Sequence, residues 1–582
     1  MSAGRSVDGA ISHFYLKFDG QDAPVETMRR LREVTVESSL HLPDVATVIF
    51  RDPELRLIDD DVFKLGATLV VSTRIGERQG ELFDGEIVEI EPRFTLHDQF
   101  LVIRAFDRLH RLARGTFARS FQNVSDMDLV RKIAGEVGLT AETGSASFVH
   151  DYVFQNNQTN LAFLQERAAR LGYLLYADGT RLHCVPPKAD SDAVELKWGV
   201  NLSEFLPRLS SLDQPARTMT RSWDPKTKQA ILGQAAAAEG TPKVGERRTT
   251  EDVTQAFGAR PTHTVTQHVV RQQGLADALA QATANRAAER LIEASGVCGG
   301  NPAITAGVPL KITAVGDRFG GTYYVSTAVH SYHAEGGYTT EFQVSGQQAS
   351  GIVATLGAGK RETTQMGLAI GIVTNNQDPQ GWGRVKVKYP GLTDEHESDW
   401  ARVASMGGGA ARGLMALPEV NDEVIVGFEM GDIHHPYVLG GLWNGPDAPP
   451  KANSEIVQGG KVTQRLLRSR RGHQLTFDDS DDKPFVQLES ARGHRLTLSD
   501  RAGDEHILIE DRAGNRIRFD TRSNALSVDV AGNVTVTAQG KVELQAMASI
   551  KAQAPNIELN GSATVKITGG VVEVQGGLIK LN

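Results

Sequence analysis

Short runs in which hydrophobic and polar residues alternate make up most of this chain, and the breaks between them are Gly, Pro, Asp and Asn. Alternation with a period of two predicts β-strands with one buried face, and those four residue types favour turns. Clear examples lie at 14–20, 46–50, 68–76 and 100–107, and the pattern returns over 301–346. The sequence therefore predicts a mainly β protein.

Three stretches carry the 3.6-residue spacing of a helix instead. Ser125 can cap a helix over 126–137, and Thr159 can cap a second helix that ends at Gly172. A third helix is predicted over 275–294. The apolar stripes of these helices are regular and carry no chemistry, so we interpret the helices as core elements.

Residues 367–445 form a compact segment with Gly-rich turns and five predicted strands. Five strands in about 80 residues suit a small barrel of the OB type. The predicted strands are 368–373, 384–389, 400–405, 423–430 and 436–442.

A repeat of 21 residues follows the predicted barrel. RGHQLTF begins at 471, RGHRLTL at 492 and AGNRIRF at 513, and the strand-like runs FVQLE at 485 and ILIED at 507 fall between them. Each repeat is therefore expected to hold two strands of about ten residues.

The end of the chain carries six apolar-charged-apolar triplets, whose middle residues read Glu, Lys, Glu, Lys, Glu, Lys at steps of 7 or 8. Strand side chains alternate, so the apolar positions share one face that such short strands cannot bury alone. Either a single-chain β-helix with coils of about 20 residues or three identical chains wound together would cover that face. Stacking would bring opposite charges together on the outer face, which we interpret as a register lock.

Composition and charge narrow the classes of function. The 582 residues are 40% hydrophobic and carry a net charge of −9, with a pI near 6.0, so no nucleic-acid partner is expected. The two cysteines, Cys184 and Cys298, have no metal-ligand spacing and are expected to be buried thiols. The sequence shows no signal-peptide pattern and no apolar run of about 18 residues, so assembly in the cytoplasm is expected.

Several segments suggest enzymatic chemistry but fit it poorly. GAGKR at 357–361 lacks the first Gly and the Ser/Thr of a phosphate-binding loop, and neither Gly-x-Ser-x-Gly nor His-Glu-x-x-His occurs. The acidic runs 478–482 and 393–399 could supply paired carboxylates for glycoside hydrolysis, but solvated loops are expected there. We therefore expect no catalytic residue and no cofactor.

One cluster, Asp432 with His434 and His435, suggests a metal site. Adjacent histidines on a strand edge point to opposite faces, which makes shared ligation of one ion difficult. A structural role in a loop is expected instead, and no metal.

The segment GIVTNNQDPQGWGRVKVKYPGL at 371–392 and the strands after it carry a specific set of residues. This set closely resembles the OB domain of VgrG-like spike proteins, which belong to type VI secretion systems, extracellular contractile injection systems and contractile phage baseplates. The matching residues are Asn375, Asn376, Asp378, Pro379, Gly381, Gly383, Arg384, Trp400, Arg402, Pro418, Glu423, Phe428, Gly431, Asp432 and Pro436. The family usually has Gly-Asp before Glu-Val; this chain has Asn421-Asp422, and asparagine tolerates the same left-handed turn.

Segments upstream of the barrel also resemble this family, at 155–176 for a helix of its hub domain and at 321–343 for the hub's closing strands. The resemblance implies a hub of two β-barrels with helical insertions, an OB domain and an intertwined trimeric β-helix. The expected domains are the hub at 1–350, a linker at 351–366, the OB domain at 367–446 and the triple-stranded β-helix at 454–582.

The resemblance further implies a homotrimer whose hub docks on an inner tube protein among other baseplate components. A PAAR-repeat tip protein is expected at the end of the chain, on Lys580, Leu581 and Asn582, with effector cargo as a further partner and the target membrane met only on firing. The axis of the spike is expected to be formed by Val542, Leu544, Ile550, Ile557, Leu559, Val565, Ile567, Val572, Val574, Ile579 and Leu581.

The expected function is thus that of a non-enzymatic spike in the baseplate of a phage-tail-like particle, which punctures the target envelope. We expect an extracellular contractile injection system, because the chain is short and carries no extension; the alternatives are a type VI tip protein and a prophage baseplate spike. From another class, a carbohydrate-active single-chain β-helix enzyme would need a groove with aromatic residues, and a receptor-binding fibre would need a broad head. The tail after Phe519 contains no aromatic residue.

Overall fold

The computed structural model describes residues 12–40, 42–75, 78–146, 148–187, 193–211, 214–235, 244–245, 257–258, 261–266, 268–344 and 367–580. The predicted linker at 351–366 and the GAGKR segment lie outside the described residues. The chain divides into two compact units, Met1–Asn444 and Gly445–Asn582. The prediction of a mainly β protein is confirmed, since most elements of both units are strands.

The first unit begins with a meander of antiparallel strands. The elements are β1 (Ser12–Phe18), β2 (Gln21–Asp22), α1 (Val25–Arg29), β3 (Leu31–Ser39), β4 (Val45–Arg51), β5 (Thr68–Ile75), β6 (Arg78–Phe94) and β7 (Gln99–Phe106), followed by a 3₁₀ helix at Arg108–Ala113. Alternate residues of these strands are buried, as in β4, where Ala46, Val48 and Phe50 are fully buried. They build the first core of the unit.

A smaller layer with both of the capped helices comes next. Its elements are β8 (Phe117–Ser125), α2 (Asp126–Glu136), β9 (Thr140–Thr143), β10 (Val149–Gln158), α3 (Asn160–Leu171), β11 (Leu174–Asp178) and β12 (Arg181–Val185). The Ser125 hydroxyl accepts the N–H of Asp128, and the Thr159 hydroxyl accepts the N–H of Ala162. Gly172 ends α3 at a φ of 70°, so both predicted helices and their signals are confirmed.

The chain then returns to the first sheet. The elements are β13 (Val194–Lys197), β14 (Leu202–Leu209), β15 (Arg217–Asp224), β16 (Gln229–Gln234), β17 (Thr262–Val265), α4 (Gln273–Glu289), β18 (Ile292–Gly299), β19 (Pro309–Thr313), β20 (Gly321–Tyr324), β21 (Thr327–His333) and β22 (Gly337–Val344). The third helix is therefore shorter than predicted. Its predicted last turn is the start of β18, where Ile292, Ala294 and Cys298 alternate inward and gain more from burial in the sheet than from helix.

One sheet of eleven strands joins the two halves of this region, in the order β14-β18-β22-β21-β3-β4-β7-β6-β5-β1-β2. The pairing of β21 with β3 brings residues about 300 positions apart into register. A second core contains residues of β14 and of β18 to β22, including Cys298. A third core contains residues of α2 and α3 and buries Cys184. Both cysteines are free and buried, as predicted.

The predicted five-stranded barrel is confirmed. Its strands are β23 (Ala369–Asn375), β24 (Arg384–Lys388), β25 (Ala401–Val403), β26 (Glu423–Phe428) and β27 (Pro436–Gly441). They close in the order β23-β24-β25-β27-β26, with β25 and β27 parallel and the other pairs antiparallel. This is the OB arrangement.

The second unit is an antiparallel meander. It contains α5 (Asn453–Ile456), β28 (Val457–Gln458), β29 (Lys461–Val462), β30 (Gln464–Arg468), β31 (Gln474–Asp478), β32 (Phe485–Glu489), β33 (Arg495–Ser499), β34 (His506–Glu510), β35 (Arg516–Asp520) and β36 (Ala525–Asp529). The 21-residue repeat contains two strands, as predicted, but each strand is five residues long instead of about ten, because turns take up the rest of the repeat. Each repeat turns at a glycine with a φ of 87–91°, namely Gly472, Gly493 and Gly514, where a side chain would be strained.

The tail at 530–580 has neither helix nor strand, and it bends at 531–532, 539–540, 547–548, 555, 562–563, 570–571 and 577. The bends therefore follow the step of 7 or 8 residues seen in the triplets. None of these described residues lies in a strand, because no other segment of the same chain pairs with them. The predicted short strands are therefore not formed within one chain, where the described tail residues pair with no other segment.

Candidate functional site

The seven-stranded sheet β30–β36 presents an almost wholly apolar face in two columns. Residues that pair across neighbouring strands are apolar on both sides, such as Leu498 with Ile507 and Ile509 with Ile517. The side chains of this apolar face are 38–59% exposed, and they are Leu467, Phe477, Leu488, Leu496, Leu498, Ile507, Ile509, Ile517, Phe519, Leu526 and Val528. Such an extended uncovered surface marks a site of association.

The residues predicted to form the spike axis continue this exposure along the tail. The ten that the structure describes are 50–77% exposed, and they are Val542, Leu544, Ile550, Ile557, Leu559, Val565, Ile567, Val572, Val574 and Ile579. Leu581 and the predicted tip contact Asn582 lie outside the described residues, and Lys580 is exposed. A single chain therefore leaves its most regular apolar positions in water.

One carboxylate organises the turn before β24. Asp378 accepts hydrogen bonds from the backbone N–H groups of Gln380, Trp382 and Arg384 at 2.8–3.3 Å. It also accepts two bonds from the Arg384 guanidinium, at 2.7 and 3.0 Å, which hold the pKa of the carboxyl well below its usual range. Asp378 and Arg384 thus fix the loop that carries Pro379, Gly381 and Gly383.

Other residues of the OB motif tie the barrel's loops together. The side-chain amide of Asn376 donates to the Pro418 carbonyl at 3.3 Å, and that of Asn444 donates to Glu423 at 3.1 Å. Asn421 has a φ of 77°, so the substituted asparagine adopts the left-handed turn that the sequence predicts. The motif residues that the structure brings together hold loops at both ends of the barrel, and their role beyond this stays a prediction.

His434 joins the barrel to the neighbouring layer. Its Nδ1 lies 2.5 Å from Asp432 Oδ1 and its Nε2 lies 3.1 Å from the carbonyl oxygen of Phe154 in β10. Both ring nitrogens of His434 therefore lie against oxygen acceptors. Burial would raise the pKa of Asp432, but the charge and hydrogen bond of His434 hold it well below its usual range. The cluster joins two layers, and no group of three or more ligand-type side chains among the described residues is placed to hold a metal.

Side chains of strand β10 belong to the same hydrophobic core as the side chains of the barrel. Tyr152 and Phe154 are buried together with residues of β23, β24 and β26, such as Val373, Val385 and Val426. The Tyr152 hydroxyl also donates to the Glu397 carbonyl at 2.8 Å. The barrel and the β8–β10 ribbon therefore share one core, a connection that sequence reasoning missed. The alternating Tyr-Val-Phe of β10 shows only that one face is apolar, not what covers it.

Both acidic runs are more ordered than predicted. At 393–399, Glu397 binds Lys386 at 2.7 Å and Ser398 is fully buried. At 478–482, Asp478 is buried and accepts hydrogen bonds from the backbone and hydroxyl of Ser480. The prediction of solvated loops is wrong for these residues, because short acidic and hydroxyl side chains satisfy nearby backbone donors.

Beside β10, a buried ion pair fixes α2 against α3. Asp126 binds Arg167 at 2.5 Å and His150 at 3.1 Å, and the Asp126 and Arg167 side chains are only 3% and 4% exposed. Burial would raise the pKa of Asp126, but Arg167 and His150 lower it to about 2. The pair therefore stabilises the fold while the carboxyl is ionised.

We expect Asp126→Asn to lower the free energy of unfolding by about 3–5 kcal/mol near neutral pH, because Arg167 is left buried without its counter-charge. The carboxyl contributes stability above its unfolded pKa of about 3.8 and loses it as the pH falls towards about 2. The difference between the variant and the wild type should therefore shrink below about pH 4. Urea unfolding at several pH values measures this.

The control for that experiment is Glu136→Gln at the end of α2. Glu136 pairs with Arg119 at 2.9 Å, but its side chain is 32% exposed. A surface pair contributes about 1 kcal/mol or less. Equal losses in the two variants would contradict the importance of the buried pair.

Two family models match the chain, and they cover the barrel and the region before it. Residues 369–443 match the family model described as the type VI secretion system/phage-baseplate injector OB domain. Residues 10–334, more than half of the chain, match the model described as the Alg8 N-terminal domain. The chain belongs to the Alg8 N-terminal domain family.

Curated relatives confirm the predicted resemblance to VgrG-like spike proteins. The chain is 35% identical over 103 residues to the type VI secretion system spike protein VgrG2a of Pseudomonas aeruginosa, which covers 17% of this chain and 12% of that protein. It is 42% identical over 111 residues to VgrG5 of the same organism, covering 16% and 14%. The matched segments thus span about one-eighth of these relatives' own lengths.

Two solved structures are similar at low identity. One is the E. coli c3393 protein, a component of the type VI secretion system, with 15% identity, a TM-score of 0.45 and coverage of 73% of this chain and 99% of that one. The other is the 43 kDa tail protein of prophage MuSo2 from Shewanella oneidensis, with 13% identity, a TM-score of 0.45 and coverage of 57% and 98%.

Among the described residues, every helix falls short of the length and hydropathy that a membrane span requires.

Proposed function

We propose that this chain is one subunit of the non-enzymatic, homotrimeric central spike of a contractile phage-tail-like injection system. The main support is the uncovered surface of the unit Gly445–Asn582. Its apolar face and the axis positions of the tail are exposed in the single chain, although they are the most regular apolar positions in the sequence. Association through these positions removes them from water.

Hydrogen bonding also favours association of identical chains. The tail at 530–580 forms no strand pairs within the chain, and backbone groups that become buried need hydrogen-bond partners. A single-chain β-helix would supply these partners from its own coils. Three wound chains would instead supply one strand for each side of a prism, with the apolar positions on its axis and the Glu and Lys residues outside.

A spike must carry force from its base to its tip, and the barrel is built into the base. Tyr152 and Phe154 place β10 in the barrel core, and Arg271 binds Glu429 at 2.6 Å as a further bridge. Close-packed cores resist deformation. This continuity supports a structural role.

Partners follow from the same proposal. The hub region would dock on the inner tube protein and other baseplate components, and a PAAR-repeat tip protein would contact Lys580, Leu581 and Asn582. Leu578 and Ile579, beside these residues, are exposed in the single chain, and contact with a tip protein would cover them. Effector cargo would be a further partner, and the spike would meet the target membrane only on firing.

Among injection machines we propose an extracellular contractile system, assembled in the cytoplasm, with a type VI tip protein or a prophage baseplate spike as the alternative. Fractionation of the producing culture distinguishes them. Recovery of the chain in sheathed particles released into the medium is expected for an extracellular system.

Light scattering of the purified full chain tests the trimer. Three chains of 63.0 kDa should give a mass of about 189 kDa, and the species should resist dissociation by detergent because wound chains separate slowly. A stable monomer of 63.0 kDa would overturn the proposal and favour a single-chain β-helix.

A further inference from the structure

The turns of the meander β30–β36 lie at two opposite edges of its sheet. Neighbouring strands pair along all five of their residues without a bulge, so successive turns alternate between the two edges. One edge carries the turns 469–473, 490–494 and 511–515. The other edge carries the turns 479–484, 500–505 and 521–524.

The two edges carry opposite charge. The first, here called the basic edge, has four Arg and one Asp in its turns, a net charge of +3. The second, the acidic edge, has six Asp or Glu and three Lys or Arg in its turns, a net charge of −3. Strands of five residues hold the edges about 15 Å apart, so the two edges of one sheet cannot form ion pairs with each other.

Several of these charges are exposed and lack a partner in their own chain. Within the part of the chain that the structure describes, six exposed turn residues form no ion pair, namely Arg471, Arg492, Arg512, Asp481, Asp482 and Asp500. Other turn carboxylates do have partners, since Asp479 binds Arg465 and Asp504 binds Arg518, both at 2.5 Å. A surface that needs only solubility mixes both signs, whereas this sheet separates them.

A ring of three identical sheets brings unlike edges together. In the proposed trimer each sheet turns its apolar face towards a common axis, and each edge then meets an edge of the next copy. Rotational symmetry makes this contact heterologous, so the basic edge of one copy always meets the acidic edge of its neighbour. Each of the three contacts therefore pairs a net charge of +3 with one of −3.

We propose that the basic edge of each copy binds the acidic edge of the next copy and that this contact directs three chains into the ring. The inference rests on the proposed homotrimer and names the surface through which its copies recognise one another. Complementary charges raise the rate of association and reject wrong partners more than they add affinity. The edges therefore select further copies of this chain.

Reassembly of the full chain after dilution from urea tests this contact, followed by light scattering at about 50 mM and about 500 mM NaCl. Arg471→Glu combined with Arg492→Glu gives both edges a net negative charge. This double variant should form trimers at least about tenfold more slowly than the wild type at the lower salt concentration. At the higher concentration the difference should shrink to less than about threefold, because dissolved ions screen the charges.

Arg522→Glu is the matched control. Arg522 is also exposed in a turn, but it lies on the acidic edge, so the same substitution leaves the two edges with opposite signs. This variant should assemble no more slowly than the wild type. Adding Asp482→Lys and Asp500→Lys to the double variant exchanges the signs of both edges, which should raise the rate at least about fivefold above that of the double variant.

The outcomes separate the edges from the trimer. If the double variant forms trimers as fast as the wild type at low salt, the edge contact is wrong and the trimer stands without it. Equal slowing in Arg522→Glu, or no recovery in the fourfold variant, would also overturn the contact. A wild-type chain that stays a monomer overturns the homotrimer and the edge contact together. Circular dichroism of each variant, with the recovery at high salt, separates loss of the contact from loss of the fold.

Discussion

Replacing Ile567 by aspartate should break the self-association of this chain. Ile567 is 69% exposed in the single chain and lies on the predicted axis of the spike. In a trimer the substitution places three carboxylates together on an apolar axis, and each buried charge costs several kcal/mol, on the order of 10 kcal/mol in all. Light scattering should then show monomers, or trimers that detergent dissociates.

The neighbouring residue supplies the matched control. Lys566 is the middle residue of the same triplet and should face outward, so Lys566→Asp should leave the assembly intact and lower its stability by about 1 kcal/mol or less. Two variants with the same effect would show that Val565, Lys566 and Ile567 do not alternate between an axis and a surface. If Ile567→Asp forms trimers of unchanged stability, the proposal of an apolar axis is wrong.

Phe154→Ala should lower the free energy of unfolding by about 3–5 kcal/mol, because it opens a cavity in a fully packed core. Phe154 is 2% exposed and contributes to the barrel core from a strand outside the barrel. The loss of this side chain should therefore weaken the packing of both the barrel and the β8–β10 ribbon. In calorimetry the barrel should unfold at a lower temperature than the rest of the first unit.

Phe117→Ala tests whether the effect belongs to the shared core. Phe117 lies on β8, the strand paired with β10, but it is 36% exposed. Its removal should cost about 1 kcal/mol or less. If Phe154→Ala costs no more than this, or if the barrel's unfolding temperature stays the same, β10 does not stabilise the barrel.

Local signals in the sequence predict much of this fold. The caps at Ser125 and Thr159, the strands of the barrel and the 21-residue repeat all appear where the residue pattern places them. These features depend on neighbours within about ten residues, and turn glycines and capping hydroxyls act over that distance. The end of α4 was predicted too late, because the inward alternation of Ile292 and Ala294 in β18 depends on strands that are distant in sequence.

The contacts around the barrel could not be predicted in this way. Nothing local to Tyr152 or Phe154 shows that their partners lie more than 200 positions further along the chain. The acidic run at 393–399 is polar in sequence, but it is ordered in the structure because Lys386 and Tyr152 of β10 donate hydrogen bonds to Glu397. A cavity beside the barrel likewise draws its lining from separate segments between Gln122 and Tyr437, so it exists only when the layers are assembled.

The unpaired tail has a consequence for the order in which the molecule forms. In the proposed trimer, a tail that pairs with no strand of its own chain folds only when two further copies arrive, so the rate of its folding would fall steeply on dilution. Once three hubs are joined, the tails are confined near one another at an effective concentration on the order of millimolar, and their winding becomes an intramolecular step. The meander β30–β36, already formed in each copy, then acts as the template from which the tails zip towards residue 580. Assembly is thereby directed from base to tip.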